Sequence, residues 1–199
     1  MYPHGMQRDI SAFILAGGRS TRMGRDKAFV TIAGRTLLER VLEAATAVTG
    51  NVRIVGDPAK YAAFAPTISD IFPGCGPLGG IQAALKASDH ELNLILAVDV
   101  PFVTPELLLY LTARAEQSST ALVTVVRTKA GWQPLCAVYR REFGKLAEES
   151  LRAGKYKIDM LFEPARTCVI SAEELYTAGL SDRLFRNLNT PGDLEAGSG

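Results

Sequence analysis

Histidine and cysteine are scarce in this chain of 199 residues, which contains two His and three Cys. The histidines, His4 and His90, lie in no motif, so we expect neither a histidine-based zinc site nor a Ser-His-Asp triad. The cysteines form no C-x-x-C pair and are Cys75, Cys136 and Cys168. An odd number without a disulfide framework is typical of a reducing compartment. We therefore expect a cytoplasmic protein whose cysteines are small buried hydrophobic residues.

Net charge is nearly absent as well, because 22 Lys and Arg balance 21 Asp and Glu to leave +1. This balance gives no electrostatic reason to expect a nucleic-acid or membrane-surface partner. No segment approaches the roughly 18 apolar residues that a membrane-spanning helix needs. The 199 residues suit one domain, and 47% of them are apolar, which is enough for a sizeable core.

Hydrophobic periodicity predicts strands and helices that alternate along the chain. Strands or extended runs are predicted at 12–15, 52–55, 67–71, 93–100, 121–126, 135–139, 167–170 and 185–188. Helices are predicted at 36–48, 60–64, 78–87, 106–115, 143–151, 158–162 and 173–178, and Thr104 with Pro105 is expected to begin the fourth of them. This alternation predicts an α/β fold with a mainly parallel central sheet.

The first predicted strand stops at Gly17 and Gly18, and a cluster of cations follows at once. These cations are Arg19, Arg22, Arg25 and Lys27. Because glycine has no Cβ, backbone N–H groups there can approach a phosphate closely. The segment matches neither G-x-x-x-x-G-K-[ST] nor G-x-G-x-x-G. It follows a first strand, where open α/β sheets place ligands, so we interpret it as a phosphate-binding loop. A surface turn with solvated charges is the alternative.

Asp99 lies at the end of the clearest predicted strand, which is otherwise apolar, and is followed by Val100 and Pro101. A carboxylate at the carboxyl end of a central parallel strand faces the ligand crevice. Mg²⁺ needs only one or two carboxylates when phosphate oxygens complete its shell, so this single aspartate is chemically sufficient. A turn or helix-capping role before the proline is the alternative interpretation.

Two other stretches have a polar residue beside a turn. Asp70 lies in SDIFPGCGPLGG, a glycine-rich loop whose backbone can press against a flat base, although an ordinary mobile loop explains it almost as well. Asn189 lies in NLNTPGDL, where it or Thr190 would alternatively cap a last short helix. Trp132, the single tryptophan, either covers a flat ligand ring or packs within a hairpin.

The stretches LAGGRSTRMGRDKA, GPLGGI, DVPFV and NLNTPGDL, in this order, resemble the molybdenum cofactor guanylyltransferases. The resemblance extends over residues 13–194, and its first motif, L-A-G-G-x-S-x-R-M-G-x-D-K, belongs to a larger group of nucleotidyltransferases. It implies a single-domain, Rossmann-like three-layer sandwich. The expected organisation is a disordered lead-in over 1–8 and a nucleotidyltransferase domain over 9–199. Its nucleotide half would span about 9–115 and its acceptor half about 116–195.

The resemblance implies a role for each matching residue. The nucleotide-contacting turn would consist of Leu15, Ala16, Gly17 and Gly18. Lys27, with Arg22 beside it, would bind phosphate and stabilise the leaving group. Asp70 would hold the guanosine part, Asp99 would bind Mg²⁺ beside the nucleotide, and Asn189 would lie near the pterin.

One position departs from the pattern, because family members often carry Asn at the end of the second strand, where this chain has Val55. A valine side chain cannot make that polar contact. Gly56, through its backbone, or Asp57, through its carboxylate, would have to replace it.

The implied reaction transfers GMP from GTP to molybdopterin and releases pyrophosphate. The attacking group would be the terminal phosphate of the pterin, in agreement with the lack of a Ser or Cys nucleophile motif. By resemblance, L-A-G-G and G-P-L-G-G favour guanine over cytosine. Expected partners are GTP, molybdopterin and molybdoenzyme maturation proteins, and the expected cofactor is Mg²⁺. The alternatives are cytidylyl transfer to molybdopterin, transfer to a sugar phosphate, and a non-catalytic GTP-binding module.

Overall fold

The computed structural model describes residues 9–17 and 26–185. The strands are β1 (Ile10–Leu15), β2 (Thr31–Ile32), β3 (Arg35–Thr36), β4 (Val52–Val55), β5 (Thr67–Ile68), β6 (Leu92–Ala97), β7 (Val123–Thr128), β8 (Gly131–Arg140) and β9 (Thr167–Ser171). The helices are α1 (Leu37–Thr46), α2 (Pro58–Tyr61), α3 (Pro77–Ala87), α4 (Pro105–Gln117), α5 (Phe143–Arg152) and α6 (Ala172–Thr177). Short 3-10 helices lie at Lys27–Phe29, Ile158–Leu161, Pro164–Arg166 and Asp182–Phe185.

Within these ranges a seven-stranded sheet has the order β5-β4-β1-β6-β8-β7-β9, and β2 pairs with β3 in a separate hairpin. The sheet is mostly parallel, since β8 alone in the described part runs against its neighbours β6 and β7. Leu15 pairs with Val55 on one side and Ala97 on the other. The carboxyl ends of β1, β4 and β6 therefore meet at one edge of the sheet, which is where α/β proteins bind ligands.

The sheet is packed on both faces, as alternating side chains of β1 show. Ile10, Ala12 and Ile14 belong to a core that contains residues of α1 and α4. Phe13 and Leu15 belong to a second core that contains residues of α3 and α5. Successive side chains of a strand point to opposite faces, so a central strand buried on both faces is apolar throughout. The expected single-domain, three-layer α/β sandwich is confirmed.

Local capping explains where two of the long helices begin. Thr36 and Glu39 form a capping box at α1, in which each side chain accepts from the other residue's backbone N–H. Thr104 caps α4 by accepting from the Leu107 N–H, and Pro105 is the first helical residue. The predicted start of α4 is therefore confirmed, and the capping box extends the same logic to α1.

Several predicted elements differ from those observed. The strand predicted at 93–100 is β6, which ends at Ala97, so Asp99 lies in the turn that follows. The extended run at 67–71 is a strand only over Thr67–Ile68. The α-helix expected at 158–162 is a 3-10 helix over Ile158–Leu161, because i→i+3 bonding suits so short a segment. Phe185 ends a 3-10 helix rather than beginning a strand, and the rest of that prediction lies outside the described residues.

The cysteines are only in part as expected. All three are unpaired; Cys136 is buried, whereas Cys75 and Cys168 are half-buried, so the expectation of buried thiols is wrong for the latter two. His90 lies beside the amino end of the sheet, where its ring contacts Ser11 Oγ at 2.8 Å and Asp9 Oδ1 at 3.1 Å. In the described ranges, no helix has both the length and the apolar character that crossing a membrane requires.

Candidate nucleotide-binding site

Leu15, Ala16 and Gly17 lie where three strand ends converge. The Ala16 N–H donates to the Val55 carbonyl at 3.0 Å, and the Val98 N–H donates to the Leu15 carbonyl at 3.2 Å. A Cβ added at Gly17 would meet only the Val55 carbonyl oxygen, at 4.0 Å. The surrounding protein therefore does not require glycine there, and the bare backbone is available to an approaching ligand.

Lys27 and Asp99, two residues singled out from the sequence, meet at this edge. Lys27 Nζ lies 3.5 Å from Asp99 Oδ2, and the two side chains are 23% and 26% exposed. A partly buried ion pair open to solvent on one side keeps both charges accessible to a ligand. An anion such as phosphate would find the ammonium, and a cation would find the carboxylate.

Each member of this pair is held by its own short element. Lys27 begins a 3-10 helix whose next residue, Ala28, is fully buried and contributes to the core with α1. Asp99 lies in the turn after β6, between the buried residues Val98 and Val100. Because the apolar neighbours anchor both backbones, the polar side chains project toward the edge of the sheet rather than into the core.

Asp70 adjoins the same edge through the first turn of α3. Its Oδ1 accepts from the Phe72 N–H at 2.8 Å, which fixes the carboxylate in a tight turn. A Cβ on Gly79 would lie 3.0 and 3.1 Å from the Asp70 oxygens and 2.9 Å from the Phe72 carbonyl oxygen. A Cβ on Gly80 would lie 3.3 Å from Leu15 Cδ2. The two glycines of GPLGG thus let α3 pack between Asp70 and the end of β1.

The amino end of α3 is itself suited to binding polar groups. It begins at Gly76, whose φ of 71° favours glycine, and in the described chain no side chain caps its first turn. Pro77 has no N–H, and the Gly79 N–H already donates to the Gly76 carbonyl at 3.2 Å. The helix dipole still favours acceptor atoms and negative charge at this end. The expected contact between this loop and a base stays a prediction.

Sequence reasoning missed a network that surrounds the start of the candidate phosphate loop. Tyr61 Oη lies 3.0 Å from the Ala16 carbonyl oxygen and 2.8 Å from Asp26 Oδ2. Asp26 also caps the Lys27 turn, accepting from the Ala28 N–H at 3.2 Å. Asp26 had a signal, since it adjoins Lys27 inside the first motif. Tyr61 had none, because only the fold brings α2 to this place.

At the end of β4, the structure shows what Val55, Gly56 and Asp57 contact. Val55 is buried, and the Gly56 N–H donates to the Ile68 carbonyl at 2.9 Å. Asp57 caps α2, accepting from the Ala59 N–H at 3.0 Å. Both proposed replacements for the missing Asn side chain therefore already serve the local fold.

Trp132 serves the packing of β7 and β8. Its ring meets Phe162 edge-on, with centroids 5.3 Å apart, and the Arg127 guanidinium carbon lies 4.9 Å from the ring centroid. These contacts match the hairpin-packing interpretation of this residue.

Three predicted site residues, Gly18, Arg22 and Asn189, lie outside the described residues. Among the residues that are described, no group of three or more His, Cys, Asp or Glu gathers as a metal cluster. Asp99 remains as a single carboxylate beside a cation, a donor set that fits Mg²⁺ only when a phosphate ligand supplies further oxygens.

A lysine–aspartate pair at the carboxyl edge of a mainly parallel α/β sheet is suited to binding a nucleotide's phosphates, and the comparisons identify the class as nucleotidyltransferase. The model of the family described as "MobA-like NTP transferase domain" matches residues 12–167, so the chain belongs to that family. Nucleotidyltransferases of this kind typically need a divalent metal ion.

Known relatives agree with this membership. A probable molybdenum cofactor guanylyltransferase of Pelotomaculum thermopropionicum is 37% identical over 91% of this chain and 88% of its own length. A second, from Carboxydothermus hydrogenoformans, is 31% identical over 94% of each chain. The solved structure of molybdopterin-guanine dinucleotide biosynthesis protein A from Archaeoglobus fulgidus aligns with a TM-score of 0.80 and 27% identity over 94% of this chain and 96% of that one.

Proposed function

We propose that this protein transfers GMP from GTP to molybdopterin and releases pyrophosphate. The observation that carries the proposal is the Lys27–Asp99 pair, 3.5 Å apart at the carboxyl ends of β1 and β6. Membership in the MobA-like family and relatives named molybdenum cofactor guanylyltransferase support the choice of substrates.

The attacking group is the terminal phosphate of the pterin, which is already anionic. No protein nucleophile is needed, so the protein contributes position and charge stabilisation at the α-phosphorus of GTP. Lys27 neutralises charge that develops on the leaving pyrophosphate. Arg22 is proposed to assist it.

Asp99 would hold Mg²⁺, with the remaining ligands supplied by phosphate oxygens and water. When bound, the ion would offset negative charge on the triphosphate and help to orient it. In the absence of nucleotide, the positive charge of Lys27 compensates the negative charge of the partly buried Asp99 carboxylate.

The nucleotide is held by the turn from Leu15 to Gly18 and by Asp70. The packing of α3 supports this proposal. Gly80 lies against Leu15 and Gly79 lies against Asp70, so the end of β1 and the Asp70 turn are neighbours. The proposed nucleotide half, about 9–115, contains Lys27, Asp70 and Asp99, and the acceptor half, about 116–195, contains Asn189. Asn189 is proposed to lie near the pterin.

The test is incubation of the full chain with GTP, Mg²⁺ and molybdopterin, followed by nucleotide analysis of the pterin product. The expected result is a guanine dinucleotide product and pyrophosphate in equal amounts. ATP, CTP and UTP, used in parallel, should give little product. A cytosine product or transfer to a sugar phosphate would overturn the base or acceptor assignment. An active relative serves as the positive control. If this protein binds GTP but releases no pyrophosphate under conditions in which that relative does, the enzymatic assignment is overturned.

A further inference from the structure

Tyr61 occupies a place that the reaction described above does not explain. It lies at the end of α2, it is 2% exposed, and its hydroxyl reaches the candidate nucleotide site from outside. The two oxygens within its reach belong to Ala16 and Asp26, at 3.0 and 2.8 Å. These residues flank the glycine- and arginine-rich segment 17–25, one on each side.

The fold makes room for this contact in two ways. Gly56 lies under the tyrosine ring, where a Cβ would come within 2.8 Å of Cδ2 and Cε2, so any larger residue would displace the ring. On another side Phe29 stacks on the ring, with centroids 5.8 Å apart and planes inclined by 22°. A buried ring gripped by neighbours is pre-organised, so its hydroxyl keeps one position.

Asp26 links the fixed position of the Tyr61 hydroxyl to the position of Lys27. One carboxylate oxygen accepts from Tyr61 and from Lys60 Nζ, which lies 3.2 Å away. The other accepts from the Ala28 N–H and so caps the turn that begins with Lys27. Rotation of the Asp26 carboxylate would break the cap and the tyrosine contact together.

We propose that Tyr61 is a positioning residue that ties Ala16 to Asp26 and thereby holds Lys27 opposite Asp99. Burial, and then the contact with Asp26, raise the pKa of Tyr61 above its ordinary value, so the phenol stays a hydrogen-bond donor in neutral solution. The single phenolic hydrogen serves two acceptors, and the charged carboxylate is the stronger of them. The kinetic part of this inference rests on the proposed function.

The first test is Tyr61→Phe, which keeps the ring and removes only the hydroxyl. We expect kcat/KM for GTP to fall about tenfold, because the lost bond is to a charged group. The matched control is Tyr110→Phe on α4, which removes a hydroxyl bonded to Glu174 at 2.9 Å, far along the chain from the site. Tyr110→Phe should keep the wild-type kcat/KM, while its melting temperature should fall by about as much as that of Tyr61→Phe. Equal kcat/KM in both variants would overturn the proposal.

A double-mutant cycle tests whether Tyr61 acts through Asp26. Asp26→Asn keeps an oxygen for the helix cap but loses the charge that attracts the phenol. If the two residues act as one unit, the double variant loses no more than about the larger single loss. Fully additive losses in kcat/KM would show independent roles and would overturn the proposal.

Equilibrium binding of GTP separates this inference from the proposed function. The dissociation constant for GTP in Mg²⁺ should rise several-fold in Tyr61→Phe and stay unchanged in Tyr110→Phe. If the wild type releases no pyrophosphate with any acceptor, the proposed function fails, while a weaker binding of GTP by Tyr61→Phe alone still supports the positioning role. An unchanged dissociation constant in Tyr61→Phe would overturn it.

Discussion

Lys27 Nζ lies 3.5 Å from Asp99 Oδ2, although Lys27 begins a 3-10 helix and Asp99 lies in the turn after β6, so that only the fold brings them together. The pair is partly buried, and its open side faces the carboxyl edge of the sheet. In a ligand that carries phosphate and a bound cation, the phosphate would bind Lys27 and the cation would bind Asp99. Both members can be removed separately, which makes the relationship testable.

Asp99→Asn should lower kcat by about 10²–10³-fold, since removing one well-placed electrostatic group typically costs that much. The amide keeps the shape of the carboxylate but loses its charge and its affinity for a divalent cation. Pyrophosphate release at saturating GTP measures the loss, and circular dichroism checks the fold.

The matched control for Asp99 is Asp89→Asn. Asp89 is 83% exposed and pairs with Arg53 at 3.4 Å, away from the carboxyl edge. This variant should turn over like the wild type. A wild-type rate in Asp99→Asn, measured in Mg²⁺, would remove the carboxylate from the reaction.

Lys27→Met should lower kcat/KM for GTP by about 100-fold, because the side chain keeps its length while the positive charge disappears. Steady-state kinetics with varied GTP give the measurement. Lys145→Met, on the exposed side of α5, is the control and should change neither KM nor kcat. If Lys27→Met also changes neither, the lysine does not contact the nucleotide.

Gly79→Ala should raise KM for GTP severalfold and leave kcat much less affected. The new Cβ would press on the Phe72 carbonyl oxygen at 2.9 Å and on the Asp70 carboxylate, so Asp70 must move. Overpacking of this kind costs about 1–3 kcal/mol of stability as well. Thermal unfolding and GTP titration give the two measurements.

Gly144→Ala is the control for Gly79. Its Cβ would lie 3.2 Å from Leu85 Cβ, between α5 and α3, so it adds helix-packing strain without touching Asp70. Its melting temperature should fall while KM for GTP stays at the wild-type value. Similar KM values in the two variants would mean that Asp70 does not help to hold the nucleotide.

Because Cys136 is buried, we expect the protein to lose stability in alkaline solution. Burial raises the pKa of its thiol to about 12, whereas an unfolded thiol keeps a value of about 8.5. Between these values the unfolded state releases a proton that the folded state retains. The free energy of unfolding therefore falls as pH rises, by up to about 1.4 kcal/mol per pH unit for this thiol.

Urea unfolding at about pH 8 and about pH 10.5 measures this effect. Cys136→Ala should lose less stability between the two pH values than the wild type does. Burial also raises the pKa of Tyr139, so part of the pH dependence remains in every variant. An unchanged pH dependence in Cys136→Ala would contradict the prediction.

Elements with strong local signals could be predicted from the sequence. The apolar run of β1, the periodic spacing of α1 and the Thr104-Pro105 start of α4 each depend on residues within one element. The antiparallel direction of β8 was not predicted from the sequence, although a hairpin of β7 and β8 could have been. β7 ends at Thr128 and β8 begins at Gly131, and so short a connection permits only an antiparallel pair.

Hydrophobic periodicity determined the α/β class, and motif order determined the family resemblance and the choice of Lys27, Asp70 and Asp99 as candidates. These properties are local, because residue types and their spacing persist whatever the chain does elsewhere. Only the tertiary structure decided that Lys27 meets Asp99, and that Tyr61 reaches across from α2 to Ala16 and Asp26. Such contacts depend on strand order and helix packing, and neither is encoded in the spacing of any single segment.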